Sequence, residues 1–354
     1  MDLTIIIPTT NFRGSLVSRA LDYYRSFKIN VIIVDNSKKK QNFKLNKDEK
    51  YFHLFNKDFI ERIIFGIKKT KSKYIAVCQD DDFLNITSLD KGVKFLDNNN
   101  DFSIVNGVDI YFENFCNKFI LSRVYKIDAY GTSSSKGLFN RFKQISHFKT
   151  QMTASLFRKK HLLISLTNFK KLQLNKKNKL KFYDELAFSL FPVLNGRHKF
   201  INEIWQVRDR SVYPYTQKKN NSNISRPIQT ISIEEFLKFP DTVKLKSYFY
   251  SHISRNNKKL SFNKFEFFFN SLYQSRVKLK NQNTLDFIKK LSKKNFSFLF
   301  KVLSLLKKII RILFLESDKL IDLRKKRLFI NNDWQVILGC LLKFQKKTEK
   351  IDLS

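Results

Sequence analysis

The stretch Lys73-Tyr-Ile-Ala-Val-Cys-Gln-Asp-Asp-Asp-Phe83 limits what this chain can be more than any other. Its apolar run is bounded by lysine on one side and by carboxylates on the other, which reads as a strand buried on both faces. Three like charges, Asp80, Asp81 and Asp82, then stand at one end of that strand. They repel one another and cannot be buried unpaired, so either they face water or a cation sits among them. Hard oxygen ligands at the mouth of a parallel sheet suit Mg2+ or Mn2+, which complete their shells with phosphate oxygens. The plainer alternative is an acidic turn that opens the next helix, because acids favour helix N-termini.

The preceding residues alternate strand and helix. Leu3 to Ile7 is a central-strand signature, expected to leave the sheet at Pro8-Thr9-Thr10-Asn11 because proline donates no ladder hydrogen bond. A helix capped by Ser15 follows, with Leu16, Val17, Ala20, Leu21, Tyr24 and Phe27 on one face. Asn30 to Val34 is a second wholly apolar strand that ends on Asp35-Asn36-Ser37. Strand, helix and strand, both strands apolar throughout, imply a parallel crossover with both sheet faces covered. Ligands of such sheets bind at the carboxyl ends of the strands, where Thr9, Asp35 and Asp80 to Asp82 all fall. A short strand at Tyr51 to Phe55, helices at about 58–69 and 87–96 and a strand at 102–108 continue the alternation. Neither GxGxxG nor GxxxxGK[ST] occurs, so the dinucleotide and P-loop phosphate cradles are missing.

A chain of 354 residues, 42% apolar, has the length of two domains and ample material for a core. Cys78, Cys116 and Cys340 lie far apart and suggest neither a zinc site nor a disulfide framework. No signal peptide is expected ahead of the first strand, nor any apolar run long enough to span a membrane, so a cytoplasmic location is expected. The net charge of +37 sits mostly downstream: 21 Lys and Arg face 16 Asp and Glu in residues 1–130, 21 face 6 in 131–240, and 26 face 9 in 241–354. Such an excess draws a chain to nucleic acid or to an anionic surface. A composition rich in Lys, Asn, Ile and Phe is also what A- and T-rich codons produce.

The strand ending Ile-Ile-Ile-Pro-Thr9, the strand ending Val-Asp35-Asn-Ser and the run Tyr-Ile-Ala-Val-Cys-Gln-Asp-Asp-Asp-Phe83 together resemble the nucleotide-sugar half of the GT-A glycosyltransferases, in particular inverting family 2. The resemblance covers about residues 1–215 and implies an α/β fold with a mostly parallel sheet, flanked by helices and extended by a basic helical C-terminal region. It implies that Pro8 and Thr9 lie against the nucleotide, that Asp35 bonds the base, and that the carboxylates of a DxD motif hold ribose and metal. Asp80 and Asp82 match that motif. If Phe83 is aligned with the family's aromatic residue, Gln79 instead replaces the first carboxylate and Asp81 carries the metal.

Further on, residues 151–158 resemble the strand that precedes the family's acceptor side, and 150–155 read equally as an ordinary edge strand. Tyr183-Asp184-Glu185-Leu186 looks like the ED motif that supplies the base which deprotonates the acceptor hydroxyl. Its order is reversed, so Glu185 is placed first and Asp184 is the alternative; both could also be ordinary helix N-terminal acids. Residues 196–209 resemble a strand that delivers an aromatic and an arginine, read as Trp205 and Arg208 on one face, to stack on sugar and neutralise diphosphate. His198 is either a further metal ligand or a surface residue. A domain at 1–230, with halves at 1–115 and 116–230, is thus followed by a helical basic region at 231–354. There the apolar arc and basic stripe of residues 298–315 suit either a helix lying on an anionic membrane or a bundle core.

The partners implied are a nucleotide-diphosphate sugar donor, a glycan or lipid-linked acceptor in surface glycan synthesis, and the inner face of a membrane. A nucleotidyltransferase on a similar sheet is the enzyme alternative, but the first strand is followed by only Gly14 where a Gly-rich loop would stand. A non-enzymatic basic protein would account for the charge but not for the three carboxylates, and no specific nucleic-acid motif is present.

Overall fold

The computed structural model describes residues 1–11, 13–115, 118–123, 130–147, 152–172, 174, 181–209, 233–277 and 336–337. One sheet of nine strands organises them: β1 (Leu3–Thr9), β2 (Asn30–Asp35), β3 (Glu49–His53), β4 (Tyr74–Val77), β5 (Asp82–Leu84), β6 (Phe102–Phe115), β7 (Lys118–Arg123), β8 (Leu156–Arg158) and β9 (Arg197–Asp209). Their spatial order is β3-β2-β1-β4-β8-β6-β9-β5, with β7 hairpinned onto β6. β1 to β4 pair in parallel, and so do β6 and β9. β8 runs antiparallel to both β4 and β6, so β6 and β9 point the same way as β1 to β4.

Strand alternation sorts the core into two layers. Leu3, Ile5 and Ile7 face one side, with Val31, Ile33, Phe83 and Trp205. That layer is covered by α1 (Gly14–Arg25) and α3 (Ile86–Asn98). Ile6, Ile32, Val34, Ile75 and Val77 face the other. There they meet α2 (Phe59–Lys69), α4 (Leu138–His147), α5 (Lys159–Lys171) and α6 (Lys181–Asn195). Three later helices, α7 (Ile233–Lys238), α8 (Pro240–Arg255) and α9 (Phe262–Val277), join this second layer through Phe236, Leu245, Phe249, Ile253, Phe265 and Phe269. The first helices of the basic region therefore share the core of the sheet. The stretch 298–315 lies outside the described residues.

Several boundaries differ from expectation. Pro8 and Thr9 stay in β1, paired with Val34 and Asp35. Proline is tolerated because β4 has already ended opposite Ile6, so the missing N–H of Pro8 deprives no partner. α1 begins at Gly14, with Arg13 at the N-cap position and no side-chain cap, so Ser15 lies within the helix. β8 starts at Leu156 and is interior, held between β4 and β6, because Phe157 and Leu156 are fully buried. α2 does carry a capping box, Asp58 and Glu61 each accepting from the other's backbone N–H.

Candidate active site

The carboxyl ends of β1, β2, β4 and β9 meet along one edge. Thr9 Oγ1 donates to Asp80 Oδ2 at 2.7 Å. Arg13, on the turn between β1 and α1, donates from Nε to both Asp80 oxygens at 2.8 Å and from Nη2 to Oδ1 at 2.5 Å. The same Nη2 lies 2.8 Å from Asp81 Oδ2. The guanidinium thus stands between two of the three aspartates. Asp82 opens β5, and its Oδ2 accepts from Gln206 Nε2 at 2.6 Å, with Arg208 Nε at 3.7 Å.

Asp80 and Asp82 are 3% and 4% exposed, whereas the Asp81 side chain keeps a quarter of its surface open to water. Burial raises the pKa of both buried carboxyls, against Arg13 at Asp80 and against Arg208 at Asp82. Asp109 of β6, on the same sheet, is pushed to about 7 by burial, with Arg208 as the opposing charge. Such desolvated carboxylates favour any cation that can reach them.

Arginines hold the frame of the edge. Arg19 sits on the apolar face of α1, donating to Asp209 Oδ2 at 2.5 Å and to the Asp81 carbonyl at 2.8 Å, with its guanidinium 4.9 Å from the Phe83 ring centre. It ties α1, the aspartate turn and the end of β9 together. Arg62 of α2 donates to the Thr9 and Val34 carbonyls at 2.7 and 3.0 Å, fixing the ends of β1 and β2 from beneath. Neither was singled out from sequence, although an arginine at core spacing within an apolar helix face (Leu16, Arg19, Tyr23; Phe59, Arg62, Gly66) was the available signal.

Asp35 is fully buried and well satisfied. Its carboxylate accepts from Ser37 N and Oγ at 2.8 and 2.5 Å, from Tyr51 Oη at 2.7 Å and from Gln41 Nε2 at 3.3 Å. Burial and this carboxylate push the Tyr51 hydroxyl to about 12. A base donor reaching Asp35 would displace one of these bonds, and the Gln41 contact is the longest.

Trp205 is placed otherwise than expected. Residues three apart on a strand face opposite sides, so Trp205 and Arg208 cannot share a face. Trp205 is 1% exposed, donates to the Ala154 carbonyl at 2.9 Å and lies so close on α3 that a Cβ at Gly92 would come within 2.8 Å of its ring. It is a core residue and is not open to a sugar ring. Arg208 does reach the edge, its guanidinium 5.4 Å from the Tyr111 ring centre. His198 belongs neither to the surface nor to the aspartates. It is fully buried at the opposite end of β9, bonded through Nε2 to Asn106 Oδ1 at 2.9 Å, with its pKa pushed down to about 3 by burial.

Asp184 and Glu185 lie in the first turns of α6, both partly exposed. The far end of α6 is near the start of β6, where Ser103 Oγ donates to the Pro192 carbonyl. β9 then sets out from that same end of the sheet. The start of α6 therefore rises toward the carboxyl edge, as Phe188 shows by packing 5.9 Å from Phe59 at the first turn of α2. Helix direction thus sets the start of α6 at the carboxyl end of the sheet, in the second layer.

Asp80, Asp81 and Asp82 fit a hard divalent ion by donor chemistry, since such ions use one or two carboxylates and take phosphate and water for the rest. As they stand, no three acid, His or Cys side chains among the described residues are grouped to hold a metal. Arg13 and Gln206 take up the carboxylates instead.

Residues 4–163 match the model of glycosyl transferase family 2. No curated protein matches the chain. Similar solved structures include S. aureus TarS 1–349, 15% identical over 78% of this chain and 81% of that one with a TM-score of 0.44. TarS 1–349 in complex with UDP-GlcNAc is 14% identical, with a TM-score of 0.48 over 80% of this chain and 74% of that one. TarS 1–349 in complex with UDP is 12% identical, with a TM-score of 0.41 over 79% and 90%. The matched segment carries β1, β2, β4, β5 and the three aspartates, while β9 with Gln206 and Arg208 lies beyond it; over residues 4–163 the chain is similar to the family 2 glycosyl transferases.

Proposed function

We propose that the chain transfers a sugar from a nucleotide diphosphate donor to a hydroxyl acceptor with inversion at the anomeric carbon. The observation that carries the reading is the gathering of Thr9, Arg13 and three aspartates at one strand edge inside the family 2 segment, joined there by Arg208 from beyond it. Asp80, Asp81 and Asp82 are the residues that would hold Mg2+ or Mn2+, an ion that stabilises the charge developing on the leaving diphosphate.

The protein's own groups supply the rest. Arg208, pinned along Tyr111, presents a fixed positive charge toward the same leaving group. Pro8 and Thr9, held by Arg62 from below, form the floor beside the nucleotide, and Asp35 organises Ser37, Gln41 and Tyr51 around the base. Glu185, with Asp184 as the alternative, accepts the acceptor proton while the hydroxyl oxygen attacks from the side opposite the diphosphate. One displacement gives inversion.

The acceptor is read as a glycan or lipid-linked hydroxyl, and the basic later part of the chain favours work beside an anionic membrane. Among the described residues no helix is long and apolar enough to cross a membrane.

Melting curves with UDP, GDP, CDP and dTDP sugars, each with and without Mn2+, test the donor. One nucleotide series should raise the melting temperature, and more so with Mn2+. No shift with any of them would remove the nucleotide-sugar reading.

A further inference from the structure

Arg13 is the cation that the aspartates already hold. It is the N-cap residue of α1, yet no side-chain cap bond holds it to the helix. Its side chain turns instead to the strand edge, where the fork grips Asp80 with Nε and Nη2 and reaches Asp81 with the same Nη2. A guanidinium and a divalent ion cannot occupy the same carboxylate oxygens. The third aspartate is held separately, by Gln206.

We propose that Arg13 competes with the divalent ion for Asp80 and Asp81: a tethered cation that closes the pair when no donor is present and gives way when metal and diphosphate arrive together. The inference rests on the metal-and-diphosphate reading of the site and goes beyond it by assigning Arg13. Two consequences follow from charge. Without donor, metal must displace a forked hydrogen bond made by a permanently charged group, so it binds weakly. With donor, the displaced guanidinium has a new anion, the diphosphate, within reach of the same turn, so the competition is relieved. Arg13 would then make metal uptake depend on the donor, sparing the edge from idle metal.

The test is Mn2+ binding by wild type and by Arg13→Gln, followed through the electron paramagnetic resonance signal of free Mn2+, first with MnCl2 alone and then with UDP added. Without UDP, R13Q should bind Mn2+ about tenfold more tightly or better, the scale of a lost hydrogen bond to a charged group. With UDP the gap should close, because wild type gains more from the nucleotide than the variant does. Equal Mn2+ affinity in both proteins without UDP would overturn the competition while leaving the metal reading in place. No Mn2+ uptake by either protein, with or without UDP, would overturn the metal reading and this inference with it. Should R13Q not fold, Arg13→Lys carries the test. A single ammonium cannot keep the fork on both carboxylates, so R13K should bind Mn2+ more tightly than wild type, and unchanged affinity would count against the proposal.

Discussion

Asp109 shows what burial does to a single side chain in this fold. Its folded pKa of about 7 stands above the ordinary carboxyl value of about 3.9, so folding is penalised once the group must ionise. The sign is that of a raised acid: the native protein loses stability as pH rises from about 4 through 7, and the full penalty is present above that. Asp109→Asn should therefore melt at nearly the wild-type temperature near pH 4 and higher than wild type at pH 8, by roughly 1–3 kcal/mol in stability. An equal difference at both pH values would show that Asp109 ionises normally. Trp205 is the second test at this scale. As a core residue bonded to the Ala154 carbonyl, it should cost about 3–5 kcal/mol of stability when replaced by Ala. A sugar-stacking residue would instead weaken donor or acceptor binding and leave the melting temperature alone. The aspartates, Thr9 and Asp35 were legible because strand ends announce themselves in sequence. Arg13, Arg19 and Arg62 were not singled out, since their role depends on which carboxylates and carbonyls the fold sets opposite them.

The elements of the first half followed from hydrophobic period alone: β1, β2, β4, α2 and α3 lie within a few residues of where the apolar runs place them. Three short or long-range strands did not. β5 has only three residues and forms because Phe83 pairs with Val207, more than a hundred positions away. β8 is equally short and is fixed by strands on both sides, which no local pattern reveals. β6 outruns its predicted end at Val108 because β9 and β7 supply partners as far as Phe112 and Phe115. Gly107 marks the register shift between β6 and β9, where a Cβ would meet the Glu203 carbonyl at 2.6 Å. The acid pair belongs to the element scale because it acts only if α6 starts at the aspartate edge. Glu185→Gln should lower kcat by two or more orders of magnitude with donor affinity nearly unchanged, as expected for a group that accepts a proton in the transition state. If Asp184→Asn gives that result and E185Q does not, Asp184 is the base. Normal turnover in both variants would remove α6 from the chemistry.

At the scale of the molecule, charge and fold divide the chain differently. The basic excess increases beyond residue 130, yet α7 to α9 bury aromatic side chains in the same layer as α4 and α6. Because Ile337 is also buried in the first layer, a test of membrane attachment should leave the chain whole and replace Lys301, Lys307, Lys308 and Arg311 with Gln. Wild type should sediment with anionic vesicles more than that variant does, and salt should weaken the difference. Equal sedimentation would leave the late basic stretch without a membrane role. The account stands chiefly on the aspartate edge, and calorimetry of UDP, GDP, CDP and dTDP binding to wild type and Asp82→Ala, with and without Mn2+, tests it most directly. Wild type should bind one of these nucleotides more tightly with Mn2+, and D82A should lose that gain while melting no lower than wild type, since a desolvated carboxylate has been removed. An undiminished Mn2+ gain in a folded D82A protein would contradict the assignment.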